Sequence, residues 1–122
     1  MMISTYIWVA LLGSLGALSR FQISLWLNSP EGFPLGTLVV NVIGCLLLGL
    51  CTSISEAYLE GPLKKGIMTG FLGSLTTFST FSMETIQLFE QSPNQGLLYV
   101  ASQLILGFVA AWIGFMIGKT LI

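Results

Sequence analysis

Histidine is absent from this 122-residue chain, charged residues make up only 7% of it, and its two cysteines, Cys45 and Cys51, stand alone. Each shortage excludes a class of chemistry. Without histidine, a CxxC pair, or a carboxylate near a serine in a base–nucleophile arrangement, metal-dependent hydrolysis and nucleophilic triads have no residues to work with. On one helix the two cysteines would lie about 9 Å apart along the axis, too far to bridge, and they read as buried small hydrophobes. Four basic residues make no nucleic-acid patch, and no phosphate-binding glycine loop is present. The N-terminal segment lacks the basic region of a signal peptide, and its apolar run is longer than such a peptide uses, so it is expected to persist as a first helix.

What the chain does contain is apolar. Hydrophobic residues make up 54% of it and the mean hydropathy is +0.90, whereas a soluble domain carries about 25% charged residues. Charge-free runs extend from Met1 to Ser19, Gly32 to Ser55, Gly66 to Met83 and Gln91 to Gly118, each close to or above the roughly 20 residues that cross a hydrocarbon core. Turn chemistry separates them at Asn28 to Gly32, at the charged Glu56 to Lys65 stretch with Gly61-Pro62, and at Gln91 to Gly96. The expectation is an all-α membrane protein, one domain over residues 1–122 with four transmembrane helices at about 4–27, 35–58, 63–89 and 96–121.

Four such helices place Lys64, Lys65 and Lys119 on the side of the N-terminus and Arg20 toward the other, a thin bias that lets the chain insert either way. Small residues at Gly66, Gly70, Ala110, Gly114 and Gly118 let helices approach closely, either between two copies or within one chain.

The third span is unusual. From Gly70 to Glu84 it reads GFLGSLTTFSTFSME, with two glycines, six hydroxyl residues, and Phe78 and Phe81 three apart. Unpaired backbone in hydrocarbon costs several kcal/mol per group, so such a stretch is tolerable at membrane depth only where it faces protein or a watery path. It predicts a broken third helix at a transport site. Asn41 is an intramembrane amide that serves either as glue between helices or as a pore donor. Tyr99, Gln103 and Gly107 fall at i, i+4 and i+8 and form a polar stripe on the fourth span.

The segments GALSR at Gly16 to Arg20, GTLVVNVIG at Gly36 to Gly44 and GFLGSLTTFSTFS at Gly70 to Ser82 together resemble the Fluc (CrcB) fluoride channels of bacteria, and the likeness spans most of the chain. That resemblance implies a multi-pass protein of the bacterial inner membrane that exports fluoride passively. It implies an antiparallel, dual-topology homodimer in membrane lipid, with two fluoride pathways and a structural Na⁺ at its centre. The backbone carbonyls of Gly73 and Thr76 would hold the sodium. Asn41, Phe78, Phe81, Ser79, Thr80, Tyr99 and Gln103 would line the fluoride pathway, and Arg20 would serve a vestibule or anchor the fold. Glu84 follows the motif without an assigned role, and Gln103 and Gly107 stand where a serine-lined track would be expected.

The alternative from another class is a small multidrug-type proton-coupled transporter of similar size. It would need an acidic residue in the first span, which has none. A non-transporting scaffold would explain the glycines but not the polar break.

Overall fold

The structure, a computed structural model, describes residues 2–54 and 58–121. Its regular elements are all helical. Helix α1 (Met2–Leu27) is followed by α2 (Leu35–Ser53); α3 (Gly61–Lys65) runs without a gap into a π-helical stretch (Gly66–Leu72) and one α-helical turn (Gly73–Leu75). After two extended residues, α4 (Phe78–Gln91) resumes, and α5 (Pro93–Thr120) completes the chain. Helices α1, α2 and α5 are each long and apolar enough to cross a membrane. The third segment is interrupted. Residues 55–57, at the far end of the expected second span, lie outside the described residues.

The local chemistry explains the punctuation. Leu27 is the last residue of α1, and Asn28, Ser29 and Pro30 follow it; proline disfavours helix at the residue before it. Gly61 enters α3 with a φ of 68°, a left-handed conformation that glycine adopts without penalty, and Pro62 follows where a missing N–H costs nothing. The six residues from Gln91 to Gly96, four of them polar, do not form a loop. Ser92 alone separates α4 from α5, accepting from the Gln95 N–H at 3.5 Å, and Pro93 starts the new helix at once.

Close backbone approach holds the bundle together. The π-helical stretch lies along α1, where a Cβ on Gly66 would stand 2.9 Å from the Trp8 Cβ and one on Gly70 2.8 Å from the Val9 carbonyl oxygen. Helices α2 and α5 pack with equal closeness: a Cβ on Gly114 would overlap the Leu46 carbonyl, and one on Gly49 the Ala111 carbonyl. Gly118 meets Ser53 and Leu50 in the same way. Of the two readings open for these glycines, the packing is within one chain. Gly73 behaves differently, because a Cβ there would meet nothing nearer than the Met68 carbonyl at 3.7 Å. It is exposed on the outer face of the chain.

Two small apolar clusters fill the interior. One gathers Leu38, Phe81, Leu88 and Tyr99; the other gathers Val40, Leu72 and Leu75 with Cys51 and Phe71 against them. Both cysteines are free thiols.

The glycine geometry makes a differential prediction. Gly114→Ala forces α2 and α5 apart and should cost about 1–3 kcal/mol, as overpacking does. Gly73→Ala should leave the fold of one chain unchanged. Thermal unfolding in detergent checks both, and equal midpoints for the two variants would refute the packing assignment.

Candidate functional site

The interruption consists of Thr76 (φ −90°, ψ 155°) and Thr77 (φ −151°, ψ 125°), both extended. An extended pair between helical segments leaves backbone groups without helical partners. The Thr76 N–H still donates to the Leu72 carbonyl at 3.2 Å. Thr77 is served by a side chain: its N–H donates to Asn41 Oδ1 at 2.8 Å, while Asn41 Nδ2 donates back to its carbonyl at 3.1 Å. An amide on α2 thus pairs with the Thr77 peptide group as a neighbouring strand would. The Thr77 hydroxyl caps the next helix, accepting from the Thr80 N–H at 3.1 Å, and lies 3.3 Å from the Ser79 hydroxyl.

Arg20 sits two turns inside α1, and its Nε donates to the Ser74 carbonyl at 2.9 Å. That carbonyl belongs to the last turn before the break, where the helix dipole is negative and a cation is favoured. The contact is of the anchoring kind.

From Asn41 a run of hydrogen bonds leads away from the break. Asn41 Nδ2 also donates to Gln103 Oε1 at 3.0 Å, Gln103 Nε2 donates to the Tyr99 hydroxyl at 3.1 Å, and that hydroxyl donates to Glu84 Oε2 at 3.0 Å. A second run reaches the other oxygen of Glu84. The Gly36 N–H donates to Asn28 Oδ1 at 2.6 Å, Asn28 Nδ2 to the Thr37 hydroxyl at 3.4 Å, and Thr37 to Glu84 Oε1 at 2.7 Å. Thr37 and Tyr99 are fully buried. Among the described residues no buried side-chain nitrogen or oxygen lacks a partner.

Aromatic rings flank the same region. Phe78 and Phe81 meet edge to face with centroids 5.6 Å apart, Phe81 meets Tyr99 at 5.4 Å, and Tyr99 meets Phe33 at 5.2 Å. Phe81 is buried, whereas Phe78 is 76% exposed beside the break. A groove of about 280 Å³ opens on this face, bordered by Asn41, Gly73, Thr76, Phe78, Phe81 and Gln103.

Comparison with known proteins bears on this arrangement. Residues 7–115 match the family model described as CrcB-like protein, Camphor Resistance (CrcB). The chain is 40% identical over 122 residues to the fluoride-specific ion channel FluC of Acidobacterium capsulatum, covering 96% of this chain and 98% of that one. It is 43% identical over 116 residues to FluC 1 of Staphylococcus aureus strain bovine RF122, covering 93% and 95%. FluC 1 of Bacillus cereus is 43% identical over 122 residues, covering 96% and 89%. The chain belongs to the CrcB family.

In this CrcB chain the fold brings Asn41, Gly73, Thr76, Phe78, Phe81 and Gln103 to one groove, with Tyr99 one hydrogen bond behind Gln103. Ser79 is exposed beside Thr77, Thr80 follows in the first turn of α4, and Arg20 lies behind the break on the Ser74 carbonyl. Both N–H groups of Asn41 are taken by protein acceptors. Sequence reasoning singled out no role for Thr37, Asn28 or Glu84, which form the far end of the network. A signal was present: Thr37 and Asn41 on α2, like Tyr99 and Gln103 on α5, are polar pairs at i, i+4 and therefore share a face.

Asn41→Leu keeps the number and branching of side-chain heavy atoms but removes the amide, leaving both Thr77 backbone groups and Gln103 Oε1 without partners. Each unsatisfied buried group costs about 1–3 kcal/mol, so Tm should fall well below that of an Asn94→Leu control at the exposed start of α5. A wild-type Tm for Asn41→Leu would show that the clamp does not hold the break.

Proposed function

We propose that two copies of this chain form a fluoride channel that lets the ion leave the cytoplasm down its gradient. The protein is a multi-pass bacterial membrane protein and not an enzyme. The observation that carries the reading is the interrupted helix at Thr76 and Thr77, kept open by Asn41 and bordered by an edge-to-face pair of phenylalanines. Family membership and the fluoride-specific names of the relatives supply the ion.

The chemistry suits a small anion. Fluoride holds water tightly, so a path must offer N–H and O–H donors in its place. Asn41, Ser79, Thr80, Tyr99 and Gln103 carry such donors near or behind the groove. The edge of an aromatic ring is the positive part of its quadrupole, so Phe78 and Phe81 attract an anion by their edges without a charge that would trap it. Arg20 stabilises the end of the first half-helix and adds positive potential beside the break.

An antiparallel homodimer completes the arrangement. Phe78 and Gly73 are exposed on one face of a single chain, and neither exposure is explained by packing within it. The carbonyls of Gly73 and Thr76 suit Na⁺, a hard cation that takes oxygen ligands. Two carbonyls from one chain make half a set, and a second copy across the groove would supply the other half. When bound, the ion ties the two interrupted helices together and lends positive potential to the path. Lys64 and Lys65 in the last turn of α3 and Lys119 in the last turn of α5 are the cations at helix ends, since Arg20 is committed within the bundle. Three charges bias insertion weakly.

Purified protein in liposomes should release fluoride without protons or ATP and retain chloride. Equal release of both ions would defeat the selectivity assignment, and proton-dependent export of a cationic dye would favour a transporter. Phe78→Ile should leave stability almost unchanged, Phe81→Ile should cost about 1–2 kcal/mol as large hydrophobic swaps do, and both should cut fluoride efflux steeply. Folded dimers of either variant with wild-type flux would remove the rings from the pathway.

Assembly has its own measurement. A cysteine at Asn94, with Cys45 and Cys51 replaced, should be labelled by impermeant reagent from both sides of the membrane if the chain inserts both ways. Labelling from one side alone would contradict the antiparallel dimer.

A further inference from the structure

We propose that Gln103 is a positioning residue that couples the orientation of Asn41, and through it the interrupted helix, to the carboxylate of Glu84. The inference goes beyond the channel reading and rests on hydrogen-bond sense alone, so it stands or falls whatever ion is carried.

The sense of every bond in the network follows from two groups that cannot be turned round. A backbone N–H only donates, so Thr77 N–H fixes Asn41 Oδ1 toward the break, which leaves Asn41 Nδ2 facing Gln103. Gln103 must then present Oε1 to Asn41 and Nε2 to Tyr99, and the Tyr99 hydroxyl, having accepted, donates to Glu84 Oε2. At the other end Gly36 N–H fixes Asn28, Asn28 donates to Thr37, and Thr37 donates to Glu84 Oε1. Both runs converge on one carboxylate, the residue type that accepts on both oxygens when ionised.

Among the described residues Gln103 is the one side chain that bonds to both Tyr99 on α5 and Asn41 on α2, and it is buried at 7% exposure. It cannot flip by itself. Reversing it would set its NH₂ against Asn41 Nδ2, and reversing Asn41 in turn would break both bonds to Thr77. The run therefore switches as a unit or not at all. Charge-assisted bonds polarise their neighbours, so a change at Glu84 must be felt at Asn41. By reciprocity a change at the break is felt at Glu84.

The test uses the asparagines as reporters, of which the sequence has three: Asn28, Asn41 and Asn94. With ¹⁵N-asparagine-labelled dimer in detergent, each gives one side-chain NH₂ pair, and Asn41 is identified by its loss in Asn41→Ala. Glu84→Gln should shift the Asn41 pair and the Asn28 pair, which joins Glu84 by the separate Thr37 route, while Asn94 stays put. With Gln103→Leu, or Gln103→Met should leucine fail to fold, Glu84→Gln should still shift Asn28 but no longer Asn41. A purely structural Gln103 would not produce that selective loss. An Asn41 pair that ignores Glu84→Gln in the native background, or that still responds once Gln103 is replaced, overturns the proposal. Fluoride efflux by the same wild-type preparation is measured independently, so loss of the channel reading would be seen separately.

Discussion

Two extended residues inside a bundle of apolar helices impose the constraint on which the rest depends. Hydrocarbon offers no hydrogen-bond partner, and each unpaired peptide group there costs several kcal/mol. The Thr77 peptide group finds its partner in Asn41, whose amide offers the same acceptor and donor pair that another backbone would. This solution dictates positions elsewhere. Helix α2 must come close enough for a short side chain to reach the break, and a Cβ on Gly44 would collide with the Thr76 methyl group. Helix α1 must place Arg20 against the Ser74 carbonyl, and Thr77 must cap the helix that follows it.

Apolar burial alone could not place α1 and α2 so accurately, because lipid tails compete on equal terms with leucine for apolar contact. Close backbone approach does it. Glycines on the π-helical stretch let it lie against α1, and those on α5 let it lie against α2. The wider π turn is a further adjustment, and such turns recur at functional sites. Tyr99 is fully buried and contributes both to an apolar cluster and to the polar run. Packing and polarity are therefore set by the same residues.

Much of this was legible in the sequence. Hydropathy showed the spans, and the hydroxyl-rich run from Ser74 to Ser82 showed the interruption, because no uninterrupted lipid-facing helix has use for that many polar groups. The π-helical stretch was not legible. No residue type between Gly66 and Leu72 marks it off from an α-helical stretch, and π turns are rare enough that composition does not call for one. The destination of the glycines was also hidden, since a close approach looks alike in one dimension whether the neighbour is the same chain or a copy. Asn41 illustrates the limit best. Its residue type and depth marked it as important, yet only the fold shows that the break consumes its oxygen and one of its N–H groups.

That consumption also bears on which sign of charge could meet Asn41 itself. The N–H of Asn41 that points away from Thr77 meets an acceptor, Gln103 Oε1, and an anion is an acceptor too. Exchanging one for the other leaves the Asn41 amide as it stands, with Thr77 still paired. A cation would need Asn41 to turn its oxygen outward, which gives up both bonds to Thr77 and reopens the backbone to hydrocarbon. Glu84, whose charge would repel an anion, is set back behind Tyr99 and Gln103 and is satisfied by two hydroxyls of its own. The clamp that makes the interruption tolerable in a membrane thus also fixes which way the Asn41 amide points, with its second N–H turned to Gln103 Oε1.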